Sequence, residues 1–251
     1  MAKIVQLSDC HLFKDKNKSG YNNINPYQTL KLLLLRVEQL NPDGIIVTGD
    51  ISGDDSEQSY LHFLDLMEQF NLSHNLKVIA GNHDQSGLFD SLLGQFDLAK
   101  GQPWRQDNWF IHGLDTRHQG TLGQVGAADL QNLLNKLQNH PDDFHMIVCH
   151  HHPIECGGWM DKHEWLNRHQ FVHQIKQLPQ VKLVAYGHIH NDIQQNLHGC
   201  CFQSSPSTCW QFANMADFAL SEEMPGFKVY QLHNDGTFDN QTIRLQQEQL
   251  G

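Results

Sequence analysis

The chain has 251 residues, 39% of them apolar and 18% charged, with a formal net charge of −11 and 18 histidines. That length supports a substantial core, and no Pro/Gly/Ser-rich tract forces a division, so a single domain over residues 1–251 is expected. The negative charge disfavours binding of DNA or RNA through the phosphate backbone, which depends on Lys and Arg, and leaves the many histidines as the feature that needs a chemical reason.

The N-terminus enters the apolar run at residues 4–7 directly, without the longer apolar stretch and small-residue cleavage site of a secretory signal. Residues 32–35 form an apolar run far too short to span a bilayer. A cytoplasmic protein with no membrane partner is therefore expected. Its six cysteines, with no CxxC pair, are read as reduced thiols.

In chain order, the run at 4–7 ends at Asp9-Cys10-His11, and a helix over 26–40 follows from an Asn25 cap with Pro26 in its first turn. A second run, 44–48, ends at Gly49-Asp50, and Ser56 caps a helix over 57–70. A third, 77–80, ends at Gly81-Asn82-His83-Asp84. A fourth, 109–114, ends at Asp115, read as a loop-capping carboxylate, and a helix over 127–137 follows. The fifth, 145–149, ends at His150-His151-His152-Pro153. A helix over 163–178, stopped by Pro179, leads to the sixth run, 181–185, and to Gly187-His188-Ile189-His190. Beyond Cys200 short strands take over, with a terminal hairpin, 227–233 and 237–245, turning through Asn234-Asp235-Gly236.

Short apolar runs between helical stretches predict an α/β protein, two sheets flanked by helices. Open α/β sheets place ligands at the carboxyl ends of their strands, and five of the runs deliver Asp, Asn and His there. Those side chains suit hard-to-borderline metal ions. A lone Asp-x-His or Gly-Asp is better read as a turn; all five segments in this order are not.

The ordered set Asp-x-His, Gly-Asp, Gly-Asn-His-Asp, His and Gly-His-x-His resembles the calcineurin-like metallophosphoesterase superfamily, over residues 4–190. Thr48-Gly49-Asp50 with Asp55, Ser56 and Tyr60, residues 149–153, and Pro206-Ser207-Thr208-Cys209 with Gln211-Phe212 look like bacterial class III 3′,5′-cyclic AMP phosphodiesterases. The resemblance implies an α/β/β/α sandwich of two mixed sheets. It also implies two metal ions, iron, manganese or zinc, with Asp9, His11 and His190 on the first, Asn82, His151 and His188 on the second, and Asp50 bridging.

By residue type any of His150, His151 and His152 suits a metal. The family pattern puts the ligand two residues before Pro153, hence His151, with its neighbours turned to the opposite face. The implied reaction is hydrolysis of 3′,5′-cyclic AMP to 5′-AMP by a metal-held hydroxide. His83 then serves as general acid, Asp84 orients it, and Asn82, His83 and His190 meet the substrate. Other small phosphodiesters, phosphomonoesters or nucleotide pyrophosphates are the alternative substrates, since peripheral loops select among them. Trp159, Trp165 and Trp210 are read as core or interface groups ahead of base-stacking platforms.

Overall fold

In the computed structural model residues 1–249 are described; Leu250 and Gly251, the end of the expected 1–251 span, lie outside the described residues. The first half of the chain forms β1 (Ala2–Leu7), α1 (Pro26–Leu40), β2 (Gly44–Thr48), α2 (Glu57–Gln69), β3 (Leu76–Ile79), α3 (Gly87–Leu93), β4 (Trp104–Gln106), β5 (Trp109–Leu114) and α4 (Ala127–Gln138). The second half forms β6 (Phe144–Cys149), α5 (Arg168–Ile175), β7 (Val181–Tyr186), β8 (Gln194–Leu197), β9 (Cys200–Ser204), the short pair β10 (Gln211–Phe212) and β11 (Leu220–Ser221), β12 (Gly226–Leu232) and β13 (Phe238–Arg244).

Two mixed sheets result. The first, ordered β13-β12-β1-β2-β3, has β1, β2 and β3 parallel and the terminal hairpin antiparallel beside β1. The second, ordered β4-β5-β6-β7-β9-β8, is parallel from β5 to β9 and antiparallel at both edges.

Alternation along each strand decides the layering. Ile4, Ile46 and Ile79 point inward and meet Ile111, Met146, Val148, Leu183 and Ala185 of the opposite sheet. Their neighbours Val5, Leu7, Ile45 and Val47 point outward and pack under α1 and α2, while Ile147, Cys149 and Val184 pack under α4 and α5. Strands covered on both faces must be apolar throughout, which is why the runs are continuous. The architecture is the α/β/β/α sandwich.

The helices follow their local signals. Asn25 accepts from the Gln28 amide at 3.1 Å to open α1, which buries Leu30, Leu33, Leu34 and Val37 on one face. Ser56 accepts from Ser59 to open α2. One helix is shorter than its sequence predicts: α5 starts at Arg168 rather than 163. There the backbone bonds Gly123 on both sides, through Glu164 O and the Leu166 amide, and Asn167 Oδ1 takes the Trp165 indole N–H, so the segment is held out of helical geometry. No helix among the described residues is long and apolar enough to cross a membrane.

Candidate metal centre and active site

The carboxyl ends of β1, β2, β3, β6 and β7 are tied together at one edge of the sandwich. The Asp9 amide donates to Gly49 O at 3.0 Å and the Gly187 amide to His150 O at 3.1 Å, while the Gln6 side chain crosses between sheets to Tyr186 O at 3.0 Å. Asp9, His11, Asp50, His188 and His190 all have φ between +45° and +70°, the left-handed region that non-glycine residues rarely occupy. Each such conformation costs on the order of 1–3 kcal/mol and persists where the surroundings enforce it, a pattern concentrated at functional sites.

Three overlapping groups of ligand-type atoms gather there, one of them His11, Asp50 and the exposed His83. Asp9, His11 and His190 bring one atom each within 4.8 Å of one another, and Asp50, His150 and His188 do the same. The Asp50 carboxylate lies between the groups. Its Oδ2 is 3.7 Å from His11 Nε2, and its Oδ1 is 3.5 Å from His150 Nε2. Asp9 Oδ1 is 3.4 Å from His190 Nε2, and all these side chains are buried.

Backbone carbonyls decide which imidazole nitrogens remain free. His190 Nδ1 donates to Trp210 O at 2.9 Å, His150 Nδ1 to Thr48 O at 2.7 Å, and His188 Nε2 to His163 O at 3.0 Å. A carbonyl can only accept, so in the neutral rings the opposite nitrogens, Nε2 of His190 and His150 and Nδ1 of His188, carry lone pairs. His190 Nε2 faces His11 Nε2 at 3.0 Å, and His150 Nε2 faces Asn82 Oδ1 at 3.1 Å. Each contact is a hydrogen bond whose proton sits on an imidazole, and loss of those protons would free the nitrogens to hold a cation at each point.

Electrostatics agree with that fit. Burial pushes both aspartates up, but His190 outweighs it at Asp9, and His150 with His11 at Asp50, holding both carboxyls below their usual range. Burial pushes His11 down to about 3 and, with neighbouring imidazoles, His188 well below its usual value. These are ionised carboxylates and neutral imidazoles, the states in which they bind metals. Burial also depresses His150, yet Asp50 and Asp9 outweigh it and hold the ring up at about 9, the mark of a site that draws positive charge.

The imidazole beside Asp50 is that of His150, where the sequence reading places His151. Gly49, at φ +89°, leaves the space for it; a Cβ there would stand 2.5 Å from His150 Nδ1. His151 bonds Thr116 Oγ1 at 2.7 Å through Nδ1 and packs over Gly123, and its buried Nε2 has no partner. Both rings pack against His188, with centroids 5.0 Å away for His150 and 4.5 Å for His151. His152 Nε2 lies 3.3 Å from Asp161.

Asp84 does not reach the His83 ring. Its carboxylate accepts from the amides of Gly81 at 2.9 Å, Ser52 at 3.1 Å and Ile51 at 3.2 Å, and from Tyr60 Oη at 3.0 Å. It therefore ties the Asp50 loop to the Asn82 loop. Burial, then the Asp50 charge, pushes it up to about 6. Tyr60 Oη also lies 3.0 Å from Asp55 Oδ1, so its one proton is shared between the two carboxylates, which gives Asp55 and Tyr60 of the sequence signature a place in the same support.

His83 is exposed, its amide fixed by Asp50 Oδ1 at 2.8 Å and its ring edge-on to His11 with centroids 4.8 Å apart. It lines a cavity of about 640 Å³ together with His11, Asp50, Asn82, His188 and His190. Two aromatic residues that sequence reasoning did not place at the centre lie against its ligands. Trp210 stacks on His11 at 5.3 Å and Phe212 on His190 at 4.3 Å. Their position 20 and 22 residues after His190 carries no periodic signal; only the return of β9 into the sheet brings them back.

The family profile described as calcineurin-like phosphoesterase matches residues 2–192. The chain is 30% identical over 99% of its length to the 3′,5′-cyclic adenosine monophosphate phosphodiesterase CpdA of Haemophilus influenzae, covering 92% of that protein. To the enzyme of the same name from Escherichia coli K12 it is 30% identical over 97% of this chain and 90% of that one. It is 29% identical to a 3′,5′-cyclic-nucleotide phosphodiesterase of Nostoc over 96% of this chain and 92% of that one. Among solved structures, a dimetal phosphatase from Danio rerio superposes with a TM-score of 0.71 at 12% identity, covering 97% of this chain and 98% of that one, a likeness of fold.

Proposed function

This chain belongs to the calcineurin-like phosphoesterase family, and from that premise we propose that it is a cytoplasmic phosphodiesterase hydrolysing 3′,5′-cyclic AMP to 5′-AMP with two divalent metal ions. Asp9, His11 and His190 would hold one ion and Asn82, His150 and His188 the other, with the Asp50 carboxylate shared between them. The observation that carries this reading is the split of Asp50, with Oδ2 toward His11 and Oδ1 toward His150. When bound, iron, manganese or zinc ions there supply Lewis-acid charge to the phosphoryl oxygens and lower the pKa of water.

The chain's own groups do the rest. Asp50 accepts from the His83 amide and so fixes the backbone from which the His83 ring reaches the cavity. His83 gives a proton to the departing ribose 3′ oxygen, the usual work of an imidazole near neutral pH. Asp84 acts at a distance, holding the Asp50 and Asn82 loops in register through four hydrogen bonds. A cavity of about 640 Å³ is within the range for a small ligand, and the six free thiols suit a reducing compartment.

A turnover panel on the metal-loaded protein tests the reading, with cyclic AMP, cyclic GMP, a simple diester, a nucleotide pyrophosphate and 5′-AMP as substrates. Highest kcat/KM on cyclic AMP supports it. Preference for 5′-AMP or the pyrophosphate would replace it with one of the alternative phosphoester reactions.

A further inference from the structure

We propose that Tyr21, Trp159 and Phe218 form a wall that binds the purine base of the substrate; this rests on the nucleotide reading above and deepens it. Three separate segments build the wall: the 3₁₀ turn Tyr21–Asn23, the 3₁₀ turn Trp159–His163, and the hairpin between β10 and β11. Phe218 sits between the other two, with ring centroids 5.6 Å from Tyr21 and 5.0 Å from Trp159. Phe212 lies 4.9 Å from Trp159 and is stacked on His190; Tyr21, Trp159 and Phe212 line the cavity, and Phe218 packs against all three.

The segments are locked together. The Trp159 amide donates to Met215 O at 2.7 Å, Asn214 Nδ2 to Cys156 O at 2.8 Å, and Asn22 Nδ2 to Ser221 O at 3.3 Å. Yet Tyr21 is 48% and Phe218 51% exposed, while every other Phe, Tyr and Trp among the described residues is buried or half-buried. A fixed aromatic surface left open beside a phosphate site suits a flat π-system.

The half-buried Trp159 ring lines the same cavity as Tyr21, so two separate segments offer a base aromatic faces. Stacking distinguishes a nucleotide from a baseless phosphate ester; it does not separate adenine from guanine, because every base has a π-face. Trp210 also lines the cavity but is only 6% exposed, packed between His11 and Gly20, and offers a base little of its face.

The test is calorimetric binding of 5′-AMP and of ribose 5-phosphate to the metal-loaded protein and to its Tyr21→Ala and Trp159→Ala variants. The two ligands share the phosphate and sugar and differ in the base. The wild type is expected to bind 5′-AMP more tightly, and Tyr21→Ala and Trp159→Ala each to weaken it roughly 5- to 100-fold. Both should draw the two affinities together. Equal affinity of the wild type for the two ligands, or equal losses on both in the variants, overturns the wall. Turnover of cyclic AMP, read separately, decides the phosphodiesterase reading, so either proposal can fall while the other stands.

Discussion

His150 Nδ1 lies 2.7 Å from Thr48 O, and that contact between the end of β6 and the end of β2 turns its Nε2 toward Asn82 and Asp50. His150→Ala should therefore lose metal from one of the two positions and lose more activity than the roughly 10- to 100-fold typical of groups that only support ligands. His151→Ala should keep both metals. Metal content by mass spectrometry checks this, and the reverse result would restore His151 as the ligand.

Asp50 faces both groups of ligand atoms, with oxygens 3.7 Å from His11 and 3.5 Å from His150. Asp50→Ala should abolish turnover and lower occupancy at both metal positions together. Loss of one equivalent of metal, with the other retained at full occupancy, would show that the carboxylate serves a single ion.

Removal of the His83 ring leaves Asp9, His11, Asp50 and His190 untouched, so His83→Ala should retain its metals while turnover of cyclic AMP falls by roughly 10²–10⁴. The loss should shrink for a nitrophenyl diester, whose leaving group needs no proton. A loss of the same size on both substrates argues against proton donation.

Asp84 accepts from three backbone amides in the core of the site. Asp84→Ala orphans them at about 1–3 kcal/mol each before any rearrangement, so a total near 3 kcal/mol or more is expected in chemical denaturation. If the residue instead oriented His83, the variant would keep its stability and lose only turnover.

The strands were legible because burial on both faces leaves continuous apolar runs, as in residues 44–48, and the first two helices because Asn25 and Ser56 announce them. The short α3, opened by Ser86, and the three-residue β4 were not read, each being too brief for a periodic pattern. The extended stretch before Arg168 was taken for helix because its partner, Gly123, lies some 40 residues upstream in sequence and leaves no local trace.

By itself the sequence determined which residue types reach the strand ends, in what order, and hence the fold and the kind of chemistry. Tertiary structure alone decided which of three consecutive histidines faces Asp50, because that depends on the space opened by Gly49 from another strand. It also decided that Asp84 serves backbone amides rather than His83, and that Tyr21, Trp159 and Phe218 form one surface. Composition and spacing encode what a side chain can do, whereas its direction is set by neighbours far away along the chain.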